Sequence, residues 1–112
     1  MIFIFGAYAS GKRSVAETIL QCDRASLSSR CVWDVQDLVS ADTDPEALAN
    51  ELMRHEVVIA TETGMGVVPV EEDVRRIREK QGELNRLLAK RADTVIRVFC
   101  GIPVVLKGTV PC

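Results

Sequence analysis

An apolar run that stops at a glycine constrains the fold of this chain more than any other feature. Residues 2–5 read IFIF, the pattern of a strand that is buried on both faces of a sheet. Gly6 ends the run, a second glycine follows at Gly11, and residues 12–22 have the spacing of an amphipathic helix. The sequence therefore predicts a buried strand, a glycine-bearing turn and a helix in direct succession.

The remainder of the chain alternates strand patterns with helix patterns. The strand candidates are residues 31–33, 57–60 and 94–100, the last of which is ended by Gly101 and Pro103. Helices are predicted over 45–54, where Asp44 is the cap and Pro45 the first residue, and over 70–91. The polar, serine-rich residues 23–30 predict a loop. We expect one α/β domain over residues 1–112, with a small, mostly parallel sheet of three or four strands and flanking helices.

Composition narrows the class of protein. The 112 residues are 47% hydrophobic and 27% charged, which is typical of a globular domain. A net charge of −2 with only 4% aromatic residues gives no basis for nucleic-acid binding. No apolar run approaches the roughly 20 residues of a membrane span, and residues 1–5 are too short for the core of a signal peptide.

The cysteines predict a reducing environment. Cys22, Cys31, Cys100 and Cys112 form no C-x-x-C pair and have no histidine cluster beside them, so a zinc site is not expected. We interpret them as reduced thiols and expect a cytoplasmic protein.

The first turn carries the strongest functional motif. It has the G-x-x-x-x-G-K spacing of a phosphate-binding loop and stands between a predicted strand and a predicted helix. In such loops the backbone N–H groups and the helix N-terminus bind phosphate oxygens, and the lysine reaches the outer phosphates. The predicted nucleotide-binding residues are Gly6, Ala7, Tyr8, Ala9, Ser10, Gly11, Lys12, Arg13 and Ser14.

One position departs from the phosphate-loop pattern. The residue after the lysine is normally Ser or Thr, whose hydroxyl binds Mg²⁺, but here it is Arg13. Ser14 comes one residue later, about 100° around the helix, and is not an equivalent ligand. Three explanations stay open: the metal is held differently, Arg13 supplies the charge in its place, or turnover is impaired.

Two acidic residues follow predicted strands. Glu62 comes after the strand at 57–60, and Asp34 after the strand at 31–33. Ligands of open parallel sheets bind outside the carboxyl ends of the strands, so both side chains are candidates for binding Mg²⁺. Glu62 is also a candidate for orienting or deprotonating an attacking hydroxyl, together with Lys12 as the second catalytic residue. The alternative for Glu62 is a loop acid that caps the turn, and for Asp34 it is a solvated loop acid. His55 is expected at the far end of the sheet, on the surface.

The chain resembles a known family. From Glu62 it reads ETGMGVVP, a pattern E-x-G-x-G-x-V-P, followed by a long predicted helix and the segment GIPVVLK at 101–107. Near the start it has G-x-x-x-S-G-K followed by Ala16 and Glu17. These features are similar to the adenosylcobinamide kinase / adenosylcobinamide-phosphate guanylyltransferase family of cobalamin biosynthesis. The resemblance implies a P-loop NTPase fold of the RecA-like type, truncated by tens of residues.

The resemblance also implies an activity. The kinase reaction of this family transfers the γ-phosphate of ATP or GTP, with Mg²⁺, to a hydroxyl of the corrinoid adenosylcobinamide. Family members carry a guanylylated histidine between the first helix and the Asp-bearing strand, whereas residues 22–31 contain none. We therefore expect a kinase without guanylyltransferase activity, in a homo-oligomer. The alternatives are a non-catalytic nucleotide- or corrinoid-binding module and an enzyme that is still bifunctional.

Overall fold

The computed structural model describes residues 1–7, 9–62 and 72–109, and it shows an α/β fold around one sheet. The strands are β1 (Ile2–Gly6), β2 (Cys31–Val32), β3 (Val57–Thr61), β4 (Thr94–Phe99) and β5 (Ile102–Lys107). Their order in the sheet is β2-β3-β1-β4-β5, with all neighbours parallel except the antiparallel pair β4 and β5. The predicted α/β class with a mostly parallel sheet is confirmed. The expected three or four strands were too few, since the described residues form five.

Four helices flank this sheet in the part of the chain that the structure describes. They are α1 (Lys12–Leu20), α2 (Arg24–Arg30), α3 (Pro45–Leu52) and α4 (Glu72–Arg91), with a 3₁₀ turn at Val35–Leu38. The Asp44 carboxylate caps α3 by accepting from the Glu46 N–H, as predicted. Residues 70 and 71 of the predicted long helix lie outside the described residues.

Helix α2 replaces the loop that the serine-rich segment predicted. The Asp23 carboxylate caps it by accepting from the Ser26 N–H at 2.8 Å, and Leu27 is completely buried. The hydroxyl of Ser28 donates to the Arg24 carbonyl one turn earlier. The prediction of a loop was wrong because a seven-residue helix with a single buried apolar residue leaves no periodic pattern to detect.

Strand β5 was also not anticipated. Gly101 and Pro103 were interpreted as ending the sheet, but Cys100 and Gly101 form a tight turn with φ of 50° and 76°, and the chain returns antiparallel to β4. Such positive φ values at both central residues suit a two-residue hairpin. Pro103 is compatible with β5 because β5 lies at the edge of the sheet that the described residues form, where an N–H that faces away from β4 has no ladder partner.

The two faces of the sheet carry separate apolar clusters. Phe3 packs with Leu84 and Leu88 of α4, whereas Ile4 packs with Ile19 of α1. Successive residues of a strand point to opposite faces, so β1 serves both clusters. Because β1 lies between β3 and β4, a neighbouring strand on each side fixes the carboxyl end of β1, and this positions the start of α1.

None of the helices formed by the described residues is long and apolar enough to cross a membrane. Cys22, Cys31 and Cys100 are free thiols, and Cys112 lies outside the described residues.

Candidate functional site

The turn between β1 and α1, residues 7–11, is called here the β1–α1 loop. Ala9 and Gly11 both have left-handed backbones, with φ of 59° and 93°, and the Ser10 N–H donates to the Ala7 carbonyl at 3.2 Å. Glycine adopts such a backbone without strain, which accounts for Gly11 at the point where α1 begins. Tyr8, also predicted to bind nucleotide, lies outside the described residues.

Gly6 leaves room for this tight turn. A Cβ at Gly6 would lie 2.4 Å from the Val98 carbonyl oxygen and 2.8 Å from Ser10 Oγ, both closer than van der Waals contact allows. Ser10 Oγ is buried and has no hydrogen-bond partner within the described part of the chain. A buried hydroxyl of this kind is costly, and it is the sort of group that a bound ligand satisfies.

The hairpin turn between β4 and β5 contacts the β1–α1 loop. The Gly101 N–H donates to the Ser10 carbonyl at 2.7 Å. A Cβ at Gly11 would lie 3.3 Å from the Gly101 Cα, so the two turns are in close backbone contact. Sequence reasoning missed this support because it treated Gly101 only as the end of a strand.

Lys12 is buried at the head of α1. The residue is only 8% exposed, and its Nζ donates to the Ala7 carbonyl at 2.6 Å. Burial lowers the pKa of Lys12 below its ordinary value, while the nearby carboxylates of Asp34 and Glu62 act in the opposite direction. The lysine therefore lies within electrostatic reach of both acidic residues that the sequence singled out.

Arg13 is held by residues that follow β2. Its NH2 donates to Asp34 Oδ2 at 3.2 Å, and its Cζ lies 4.5 Å from the centre of the Trp33 ring. This arrangement combines an ion pair with a cation–π contact. Asp34 has a φ of 57°, a left-handed conformation that aspartate tolerates better than most residues. Sequence reasoning found Asp34 and Arg13 separately but did not predict their pairing.

Glu62 lies at the end of β3 and is paired with an arginine of β4. Arg97 Nε donates to Oε1 at 2.8 Å and NH2 donates to Oε2 at 3.2 Å. The Glu62 N–H also donates to the Gly6 carbonyl at 2.8 Å. The backbone hydrogen bonds between β1 and β3 therefore extend to the residue that carries this carboxylate. Residues 63–70, which continue the ETGMGVVP segment, lie outside the described residues.

A cleft of about 480 Å³ opens beside the β1–α1 loop, and we call it the cationic cleft. Its lining residues are Ala9, Ser10, Gly11, Lys12, Arg13, Ser14, Arg24, Asp34, Ile59 and Thr61. Most of the predicted nucleotide-binding residues thus line one cavity, together with Asp34. Gly6, Ala7 and Glu62 are not among the lining residues.

Arg24 is a cleft residue that sequence reasoning missed. It is paired with Glu17 of α1, which holds its guanidinium beside the cleft. It was assigned to a loop, so nothing in the pattern placed it near Lys12. Among the described lining residues, Lys12, Arg13 and Arg24 are basic and Asp34 is acidic. Asp34 pairs with Arg13 and Glu17 with Arg24, which leaves Lys12 as the basic lining residue with no salt bridge in the described part of the chain and favours an anionic ligand beside it.

Other predicted features lie elsewhere. His55 is exposed in the turn between α3 and β3, and the neighbouring Val57 pairs with Ile2 at the start of β1, the end opposite Lys12. Among the residues that the structure describes, no group of three or more His, Cys, Asp or Glu side chains could hold a metal ion.

The fold and this site define an α/β protein with a cationic cleft at the carboxyl ends of parallel strands. A sequence profile of the cobinamide kinase / cobinamide phosphate guanyltransferase family matches residues 33–106, so the chain belongs to that family and the predicted resemblance is confirmed. The matched segment includes Asp34, Glu62 and Arg97 and begins after the β1–α1 loop.

One curated relative is the bifunctional adenosylcobalamin biosynthesis protein CobP of Pseudomonas aeruginosa. The chain is 33% identical to it over an alignment 109 residues long, and the match covers 91% of this chain and 62% of the relative. The chain thus spans less than two thirds of the length of this relative.

Proposed function

We propose that this chain binds a nucleoside triphosphate in the cationic cleft and transfers its γ-phosphate to adenosylcobinamide in cobalamin biosynthesis. Family membership supports the reaction class. The observation that carries the nucleotide site is Lys12, a buried ammonium directly after a tight glycine loop at the head of a helix. Burying an amine in this way is costly for stability, and a lysine directly after a glycine loop is the group that reaches the outer phosphates of a bound nucleotide.

Three groups of the β1–α1 loop and the start of α1 would bind the phosphates. The N–H groups at the start of α1 offer an anion site, and Ser10 Oγ offers a hydroxyl that has no partner among the described residues. Lys12 would exchange the Ala7 carbonyl for a phosphate oxygen, which is a stronger, charge-assisted hydrogen bond. This would place the outer phosphates at the carboxyl end of β1.

Transfer requires an attacking hydroxyl in line with the γ-phosphate. The hydroxyl oxygen of the substrate would bond to the γ-phosphorus, the bond to the bridging oxygen would break, and the nucleoside diphosphate would leave. We propose that Glu62, held in a defined orientation by Arg97, orients this hydroxyl and takes its proton. Positioning of this kind accounts for most of the catalysis in phosphoryl transfer.

The Mg²⁺ that such chemistry implies does not fit the residues well. Arg13 stands where the hydroxyl ligand is expected, and the two predicted carboxylate ligands, Asp34 and Glu62, each already pair with an arginine. A divalent ion bound there would have to displace an ion pair. The prediction that Asp34 and Glu62 bind Mg²⁺ stays a prediction, and no step here is derived through the ion.

A second candidate is a nucleotide-binding module without turnover, and Arg13 in place of the hydroxyl residue is the observation that favours it. We also propose that guanylyl transfer is lost, because residues 22–31 lack a histidine. Mass spectrometry after incubation with GTP and adenosylcobinamide tests this, since a GMP adduct or a GDP-linked product would show a still bifunctional enzyme. The homo-oligomer expected from the resemblance is tested by sedimentation.

The kinase proposal is tested by a Lys12→Ala variant. Binding of ATP and GTP is followed by titration calorimetry, and phosphorylated adenosylcobinamide by mass spectrometry. We expect Lys12→Ala to lose at least about tenfold in affinity and to form no product. Lys107→Ala is the matched control, because Lys107 also donates to backbone carbonyls but lies on β5. Equal binding and turnover in Lys12→Ala and wild type would refute the proposal. Binding of nucleotide by the wild type without formation of product would favour the non-catalytic module.

A further inference from the structure

Arg13 is oriented before any ligand arrives. Asp34 accepts a hydrogen bond from one terminal nitrogen of the guanidinium, and the Trp33 ring lies against its face. Both contacts come from the segment directly after β2, so the side chain is tied to the sheet edge as well as to α1. An arginine that is held on two sides loses less side-chain freedom when it binds an anion than a mobile one does.

The contacts leave part of the guanidinium available. Its side chain is 40% exposed and lines the cationic cleft beside Lys12. A guanidinium has five N–H donors, of which the bond to Asp34 uses one. The remaining donors can form the paired hydrogen bonds to phosphate oxygens for which arginine is suited.

The same geometry makes the place unfavourable for a divalent cation. Mg²⁺ requires oxygen ligands in octahedral geometry, but the residue that would provide the hydroxyl is itself a cation. Asp34, the nearest acidic side chain to Arg13, is already its ion-pair partner. A divalent cation placed there would also be repelled by the guanidinium, which carries the same sign of charge.

We infer that Arg13 is a built-in substitute for the divalent cation, so that the cationic cleft binds a nucleoside triphosphate in the absence of Mg²⁺. The inference rests on the proposed nucleotide site and adds a property to it. Arg13 would contact the phosphate chain next to Lys12, and Trp33 and Asp34 would act as positioning residues for its guanidinium.

The structure supplies its own reporter for this contact. Trp33 is the single tryptophan of the chain and touches Arg13, so a phosphate that moves the guanidinium changes the fluorescence of the indole. ATP is titrated in EDTA and again in excess Mg²⁺, with fluorescence and calorimetry followed in parallel. For the wild type we expect affinities that agree within about threefold in the two buffers.

Substitution at position 13 separates the possibilities. Arg13→Ser removes the cation and restores a hydroxyl after Lys12, so we expect at least about tenfold weaker binding in EDTA and recovery in Mg²⁺. Arg13→Lys keeps the charge but loses the paired donors, and its affinity for ATP in EDTA is expected to lie between that of the wild type and that of Arg13→Ser. Arg54→Ser, at an exposed site between α3 and β3, is the control and leaves binding unchanged. Circular dichroism verifies that each variant is folded.

The outcomes distinguish this inference from the proposed function. Wild-type binding that needs Mg²⁺, or binding in EDTA that Arg13→Ser does not weaken, overturns the role of Arg13. Loss of that binding in Lys12→Ala leaves the nucleotide site intact. Absence of ATP binding by the wild type in both buffers overturns both. Binding in EDTA that Arg13→Ser abolishes and Mg²⁺ restores supports both.

Discussion

Arg97 and Glu62 form a two-point ion pair across the carboxyl end of β1. Arg97 belongs to β4 and Glu62 follows β3, the two strands that flank β1. Nε and NH2 of the guanidinium donate to the two carboxylate oxygens at 2.8 and 3.2 Å. The carboxylate is therefore held in one orientation beside the strand that leads into the β1–α1 loop.

This pair is expected to stabilise the fold by a measurable amount. The Glu62 side chain is 16% exposed and that of Arg97 is 42% exposed, so solvent screens part of the interaction. We predict a coupling free energy of about 1 kcal/mol from a double-mutant cycle of Arg97→Met and Glu62→Gln, measured by urea unfolding.

The exposed pair Arg76 and Glu72, one turn apart on α4, is the matched control. Its coupling is expected to be no more than about 0.5 kcal/mol, because both side chains are more solvated. A coupling between Arg97 and Glu62 no larger than that of the control would show that the two-point geometry contributes nothing to stability.

Gly6 and Gly82 should respond to alanine in opposite directions. A Cβ at Gly6 would overlap the Val98 carbonyl oxygen at 2.4 Å, so Gly6→Ala is expected to destabilise the fold by about 1–3 kcal/mol. Gly82 lies inside α4, where a Cβ would meet only Arg86 NH1 at 3.4 Å. Gly82→Ala is therefore expected to stabilise by about 0.5–1 kcal/mol. Urea unfolding of both variants measures this, and equal effects at the two sites would contradict it.

The long apolar patterns predicted most of the fold. Strands β1, β3 and β4 and helix α4 have continuous or periodic hydrophobic residues, and local sequence is enough to recognise these. Asp44 and Pro45 marked the start of α3 through cap chemistry that is equally local. Helix α2 has no such pattern, because it has a single buried residue. Strand β5 does begin with an apolar run, IPVVL, but Gly101 and Pro103 were interpreted as the end of the sheet, and the strand is exposed along its whole length.

The site was predictable only where it is contiguous in the chain. The spacing from Gly6 to Lys12 identified the loop and its lysine, and both face the same small region of the structure. The pairing of Glu62 with Arg97 depends on which strands flank β1, and the order of strands in a sheet is not written in any local pattern. The contact of Gly101 with the β1–α1 loop is missing from the prediction for the same reason.

The cysteines should differ widely in reactivity. Burial raises the pKa of Cys31 to about 12, so almost none of it is thiolate near neutral pH. Cys100 is exposed in the hairpin turn. With iodoacetamide at pH 8 we predict rapid labelling of Cys100 and labelling of Cys31 only after addition of urea, with the modified peptides identified by mass spectrometry. Equal labelling of the two thiols in the folded protein would contradict the burial of Cys31.

Lys12 should cost stability at neutral pH. Its pKa is lowered in the folded protein, so between the folded and the ordinary pKa the unfolded chain binds more protons. Stability then rises with pH across that window, and below it the folded state bears the full cost of a buried charge. The hydrogen bond to the Ala7 carbonyl offsets part of this cost. Replacing the lysine by an apolar side chain of similar length removes both effects.

Lys12→Met is therefore expected to be as stable as the wild type at pH 7, within about 1 kcal/mol, or more stable, while it loses nucleotide affinity. Its stability relative to the wild type should fall as the pH is raised from 7 towards 10, because only the wild type gains from releasing the buried proton. Urea unfolding at several pH values measures the difference, and Lys107→Met, at an exposed site, is the matched control. A relative stability of Lys12→Met that increases with pH would reverse the sign and show that the folded protein favours the charged amine.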